Sequence, residues 1–160
     1  MANGEGYIVG TKVVEDLDAL MNDDEVKAVV IRINSGGGSA FASEQMWQAV
    51  RRLCEKKPVV VSMGGMAASG GYYMACAADY IVADPTTLTG SIGIFGMIPD
   101  MTGLLTDKLG LHFDVVKTNE ASDFGALGRP LNAQECQTMQ AYVDRGYRLF
   151  LERVAEGRQM

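Results

Sequence analysis

The sequence predicts an α/β fold, a parallel sheet with flanking helices, and three observations predict it. Short apolar runs at 28–33 and 59–63 enclose an amphipathic helical stretch, the strand–helix–strand order of a βαβ unit. Each run leads through a glycine-rich turn into a helix. The composition, 160 residues with 48% hydrophobic and 21% charged side chains, is that of one soluble globular domain and excludes a coiled coil, a collagen-like fibre and a disordered tail.

The elements follow in order. Val13, Val14, Leu17, Leu20 and Met21 share one helical face, and Asn22-Asp23-Asp24 stops that helix. Residues 28–33, apolar except for Arg32, read as a strand buried on both faces. After Asn34-Ser35-Gly36-Gly37-Gly38 a second helix gathers Met46, Trp47, Val50, Leu53 and Cys54. Pro58 opens the strand 59–63; residues 64–69 read as a tight glycine/alanine turn, 70–78 as a buried helix of small residues and 80–83 as a short strand. Residues 89–96 are strand-like but broken by glycines, where backbone passes close to a neighbour. Asp100 caps a helix closed by Gly110, 112–116 reads as a strand and 120–130 as an irregular loop. Asn132 with Glu135 forms a capping box for a long helix carrying Met139, Tyr142, Val143, Tyr147, Phe150, Leu151 and Val154. No internal repeat interrupts this order.

Charge and composition narrow the function. A net charge of −6, with no stripe of Lys and Arg, argues against nucleic acid as a partner. The longest apolar runs are too short to span a bilayer, and no basic-then-apolar start resembles a signal peptide. Cys54, Cys76 and Cys136 are widely spaced with no CxxC and His112 is the single histidine, so no zinc or other metal site is expected. The cysteines read as small hydrophobes on helix faces. Their odd number leaves at least one thiol free unless it pairs with another chain.

The chemistry then falls to the two glycine-rich turns. A strand–turn–helix junction exposes backbone N–H groups to a phosphate, a carboxylate or the oxyanion of an acyl-transfer intermediate. The first turn lacks the Lys-Ser/Thr ending of a P-loop and the spacing of a dinucleotide fingerprint. The second places Ser69 between Ala67-Ala68 and Gly70-Gly71, small neighbours that admit a substrate carbonyl, with the Gly70 N–H aimed at the developing oxyanion. This is a relative of the nucleophile elbow rather than G-x-S-x-G itself. Taken alone, Ser69 reads first as a helix N-cap, and as a nucleophile it needs a base. His112 reads as a packed or surface imidazole.

Asn34-Ser35-Gly36-Gly37-Gly38-Ser39, Gly64-Gly65-Met66-Ala67-Ala68-Ser69-Gly70-Gly71-Tyr72-Tyr73 and Thr87-Leu88-Thr89-Gly90-Ser91-Ile92-Gly93-Ile94-Phe95-Gly96 resemble three signature segments of the signal peptide peptidase A (protease IV) family, with the likeness running over about residues 7–158. The resemblance implies a crotonase/ClpP-like fold, a serine–lysine dyad, no cofactor, and a bacterial envelope role degrading cleaved signal peptides at the periplasmic side of the inner membrane. By position Ser69 matches the nucleophile, and Gly38 and Gly70 match the oxyanion donors. The first turn, with Gly37, and the segment of Gly90, Ser91, Ile92 and Gly93 are expected to wall a groove for an extended peptide, beside a small apolar pocket. Tyr72, Tyr73, Met63, Met66 and Met74 flank the serine, some as core and some as pocket lining.

Two departures qualify the resemblance. The family usually has proline where this chain has Gly36. Single-domain members carry the base lysine where this chain has Ser122, whereas in double-length members the C-terminal half supplies serine and the N-terminal half lysine. Residues 1–160 are therefore expected to be a single domain, a truncated fragment of the C-terminal repeat. The base is expected from the N-terminal repeat, and the chain is expected to form homo-oligomers. Lys117 is the best in-chain substitute, and reads otherwise as a surface lysine at a strand end. Two alternatives stand beside the protease: a catalytically inactive assembly or binding repeat, and an acyl-CoA hydratase or thioesterase of the same fold. The missing acidic acid/base pair near the turns argues against the hydratase, which has no use for Ser69.

Overall fold

The computed structural model describes residues 6–160. They form two compact units: the described residues up to Ile94 together with Gly146–Met160, and Phe95–Arg145.

The first unit carries the sheet. Helix α1 (Gly10–Asn22) precedes strand β1 (Val29–Ser35); helix α2 (Ala40–Cys54) crosses to strand β2 (Val59–Ala68). Helix α3 (Gly70–Ala75) and strands β3 (Tyr80–Val82) and β4 (Leu88–Gly90) follow. All pairings are parallel, with β2 central: β1 lies on one side, and β3 and β4 pair with successive stretches of the other. The βαβ unit read from the sequence is thus present. α2 starts where Ser39 Oγ accepts from the Ala42 amide (3.3 Å), and it ends with Arg51 and Arg52 near its negative pole.

Among the described residues of this unit, helices cover one face of the sheet. Val29, Ile33, Val59, Val61 and Met63 point into a core shared with Trp47, Val50 and Leu53 of α2, and with Phe150 and Val154 from the last turns of the C-terminal helix. Full burial of side chains of this size stabilises by about 1.5–3 kcal/mol each. The opposite face presents Val30, Tyr80 and Val82, which are more than half exposed. The reading of 28–33 as buried on both faces is corrected accordingly: β1 alternates between buried and exposed residues, because no described element of this unit covers its second face.

Three further boundaries differ from the sequence reading. Residues 64–68 are not a turn but the second half of β2. Ile33 pairs with Met63 and Ser35 with Ala67, so the three residues 64–66 face Asn34 alone in a wide bulge. Asn34 closes it: its Oδ1 accepts from the Met66 amide (3.2 Å), and a Cβ on Gly64 would lie 2.8 Å from that oxygen. α3 stops at Ala75, short of residue 78. Of the strand-like stretch 89–96 only the start belongs to β4, and the positive φ of Gly90 and Ser91 turns the chain out of the ladder.

In the second unit a π-helical segment, Gly103–Lys108, follows Asp100, whose Oδ1 accepts from the Thr102 amide (2.9 Å), and Gly110 (φ +65°) closes it. Residues 112–116 are not a strand; they run irregularly and exposed, without a ladder partner among the described residues. The capping box is present: Asn132 Oδ1 accepts from the Glu135 amide (2.9 Å) and Glu135 Oε2 from the Asn132 amide (2.8 Å). It opens helix α4 (Ala133–Arg158), whose residues from Gly146 on belong to the first unit. No described helix is long and apolar enough to cross a membrane.

Candidate active site

Ser69 occupies the single-residue junction between β2 and α3, with φ 49° and ψ −118°. A side chain at positive φ outside the left-handed helical basin costs on the order of 1–3 kcal/mol and persists only where the surroundings fix it. Here both of its backbone groups are held. Its N–H donates to the Gly90 carbonyl (2.9 Å) and its carbonyl accepts from the Tyr73 amide (2.8 Å). Its hydroxyl makes no cap bond to α3, so the N-cap reading is set aside. The residue is half-buried, on a strained strand-to-helix turn of the kind that presents a nucleophile.

The first glycine turn packs flat against this junction. Gly37, at φ +100°, leaves no room for a side chain: a Cβ there would lie 2.6 Å from the Gly70 nitrogen and 2.8 Å from Ser69 Cβ. A Cβ on Gly70 would strike Ser43 Oγ at 2.4 Å and sit 3.2 Å from the Gly38 nitrogen. The Gly38 and Gly70 amides therefore border the same small space beside Ser69, and no hydrogen bond to another described residue uses either. Ser43, buried on α2, donates to the Ser39 carbonyl (2.9 Å) and fixes the start of that helix under Gly70. Thr89 Oγ1 donates to the Ala67 carbonyl (2.8 Å), tying β4 to the last residues of β2.

An apolar cavity of about 290 Å³ opens behind these turns, with Gly37, Gly38 and Gly70 on its wall and Val13, Met46 and Met74 among its lining. Gly90 adjoins Ser69 through its carbonyl; Ser91, Ile92 and Gly93 continue outside any strand, and Ile92 packs on the core. The sequence thus brings Gly37, Gly38, Ser69, Gly70 and Gly90 together. Of the flanking side chains, Met63 and Tyr73 are core, Met74 lines the cavity and Met66 is partly exposed over Gly36.

The sequence model of Peptidase family S49 matches residues 51–160. The chain belongs to peptidase family S49. A Clp protease family model matches residues 8–86, in keeping with the ClpP-like fold. This S49 chain is 46% identical over 152 residues to Protease 4 of Haemophilus influenzae, covering 94% of the chain and 24% of that protein. It is 38% identical over 154 residues to the chloroplastic serine protease SPPA of Arabidopsis thaliana, covering 96% of the chain and 23% of that relative. A putative signal peptide peptidase SppA of Enterococcus faecium is 31% identical over 145 residues, 90% of the chain and 42% of that protein. The chain spans about a quarter of the length of the first two.

The remaining candidates of this S49 chain lie in its second unit, where Lys117 Nζ pairs with Asp123 Oδ2 at 2.8 Å. Asp123 is 5% exposed at its side chain and also takes Arg129, whose guanidinium binds Glu135 at 2.6 Å. Hydrogen bonds from Arg129, and for Asp123 also from Lys117, hold the Asp123 and Glu135 carboxyls well below the ordinary range. His112 is exposed. Burial pushes the Cys54 and Cys76 thiols up to about 11, which leaves them protonated at neutral pH. Among the described residues no group of three or more His, Cys, Asp and Glu could hold a metal.

Sequence reasoning missed the support of the elbow. Glu44 of α2 accepts from the Tyr73 hydroxyl (2.6 Å), from Arg153 (2.7 Å) and from Gln48 (2.9 Å). The Arg153 guanidinium lies 4.3 Å from the Trp47 ring centroid. Burial raises the Glu44 carboxyl, but the hydrogen bonds from Arg153, Tyr73 and Gln48 outweigh it and hold the pKa below the ordinary value. The available signal was a carboxylate three residues before Trp47, and so on the same side of the helix as that apolar residue.

Proposed function

We propose that this chain is the serine-bearing part of an S49 endopeptidase that cleaves extended apolar peptides, signal peptides among them. The observation that carries the reading is Ser69, whose hydroxyl caps nothing and whose strained backbone lies against Gly37. In the proposed reaction Ser69 Oγ attacks the scissile carbonyl and passes its proton to a neutral amine base. The oxyanion accepts from the Gly38 and Gly70 amides, and one such donor is worth roughly 10²–10³ in rate. Collapse breaks the C–N bond, the base returns its proton to the leaving amine, and water then hydrolyses the Ser69 ester. The cavity behind the turns suits an apolar side chain of the substrate, and residues 90–93 would flank its backbone.

The base we assign to a lysine of another repeat, as in a serine–lysine dyad shared between two halves. Lys117 is committed to Asp123, and the chain spans a quarter of Protease 4. Its partners are then peptide substrates, that N-terminal repeat and further copies of itself, at the periplasmic face of a bacterial inner membrane.

Turnover of a quenched apolar peptide tests this. The chain alone is expected to be slower by several orders of magnitude than a protein that also carries the preceding repeat, as for enzymes stripped of one member of a catalytic unit. Ser69→Ala abolishes the turnover of that longer protein. Ordinary turnover by the chain alone, lost in Lys117→Ala, would place the base within it and overturn the assignment.

A further inference from the structure

We infer that Glu44, acting through Tyr73 and held by Arg153, is a positioning residue that keeps Ser69 in its strained, hydroxyl-presenting conformation; this rests on the reading of Ser69 as the nucleophile. α3 has six residues and no side-chain cap, so its own hydrogen bonds do little to fix the residue before it. The carbonyl of Ser69 is held by one group of α3, the amide of Tyr73, at 2.8 Å. Tyr73 is in turn immobilised at both ends. Its ring packs on Phe150 with centroids 4.4 Å apart, and its hydroxyl donates to Glu44 Oε2 at 2.6 Å.

Glu44 cannot swing away, because Arg153 grips both its oxygens, through Nη2 at 2.7 Å and Nε at 3.2 Å, while stacking on Trp47. Three helices thus converge on one carboxylate, and one of them is the helix that follows the nucleophile. The arrangement is richer than α3 needs for burial alone, since Tyr73 is already 3% exposed and packed on Phe150. Releasing the phenol would let the first turn of α3 relax, and Ser69 with it, toward an ordinary φ.

The test uses the 160-residue chain with Tyr73→Phe, which keeps the ring and removes only the bond to the carboxylate, and with Glu44→Gln as a second variant. Hydrogen exchange is followed at the Ser69 amide, with the Val61 amide in the middle of β2 as reference. Reaction with a fluorophosphonate is followed in parallel. Tyr73→Phe is expected to speed exchange at Ser69 about tenfold, with Val61 unchanged, the loss expected for one hydrogen bond to a charged group. The maximal phosphonylation rate should fall by a similar factor while probe affinity holds. Equal acceleration at Ser69 and Val61, or none at Ser69, would show a merely structural role and overturn the inference. Selective acceleration at Ser69, with no labelling of Ser69 even in a protein that also carries the preceding repeat, would leave the positioning intact and refute the nucleophile.

Discussion

Substituting Gly37 by alanine separates contact between the two turns from mere proximity. At φ +100° an L-residue is strained by roughly 1–2 kcal/mol. The added methyl would meet the Gly70 nitrogen at 2.6 Å, Ser69 Cβ at 2.8 Å and the Ala68 carbonyl oxygen at 3.0 Å. None of these atoms can rotate out of the way, so relief requires the turns to part, at an overpacking cost of about 1–3 kcal/mol. The sum, about 2–5 kcal/mol, is a large part of the 5–15 kcal/mol typical of a whole domain. For a chain of this size it corresponds to a fall in Tm on the order of 10 °C. Gly38 supplies the control: its φ lies outside the left-handed region and a Cβ there has nothing within 4 Å. Gly38→Ala should therefore change stability by less than about 0.5 kcal/mol. Thermal unfolding followed by circular dichroism reads both. Equal stability of the two variants would mean that the turns do not touch, and the shared space between the Gly38 and Gly70 amides would be lost with them.

Phe150, 1% exposed against Tyr73, should cost about 3–5 kcal/mol when replaced by alanine, read as a lowered denaturant midpoint. The carboxyls of Asp123 and Glu135 are depressed in the folded chain, so their stabilisation is complete above the unfolded carboxylate pKa of about 4 and is lost as pH falls through their folded values. Amide exchange across residues 117–135, taken relative to its intrinsic rate at each pH, should accelerate below pH 4, and Arg129→Met should weaken that pH dependence, leaving the part that Lys117 gives Asp123. Val30, Tyr80 and Val82 on one sheet face, beside an edge of β1 that no described strand pairs, should make the chain self-associate, and light scattering giving a monomer at high concentration would contradict this.

What the sequence revealed follows from how local each signal is. α1, α2 and the Asn132–Glu135 capping box depend on neighbours within a turn or two, and each stands within a few residues of its expected place. The Ser69 turn was legible because small residues crowd a strand–helix junction. The bulge in β2 was not, since Gly64 and Gly65 read as a turn until Asn34 is seen to face them across the sheet. Which face of β1 is covered is likewise a property of where the helices pack. The Glu44–Arg153 pair joins residues 109 apart in sequence, a distance at which no periodicity carries information. Residues 112–116 alternate enough to resemble a strand, but a strand also needs a partner.

The nucleophile itself is tested most directly by exhaustive reaction of the chain with a serine-directed fluorophosphonate, followed by peptide mapping of the adduct. The strained, uncapped hydroxyl beside two unpaired amides predicts a single modification, on Ser69, absent in Ser69→Ala and formed slowly in the chain alone. Modification of Ser43, Ser91 or another serine in preference to Ser69, or none on Ser69 even in a protein that also carries the preceding repeat, would contradict the account.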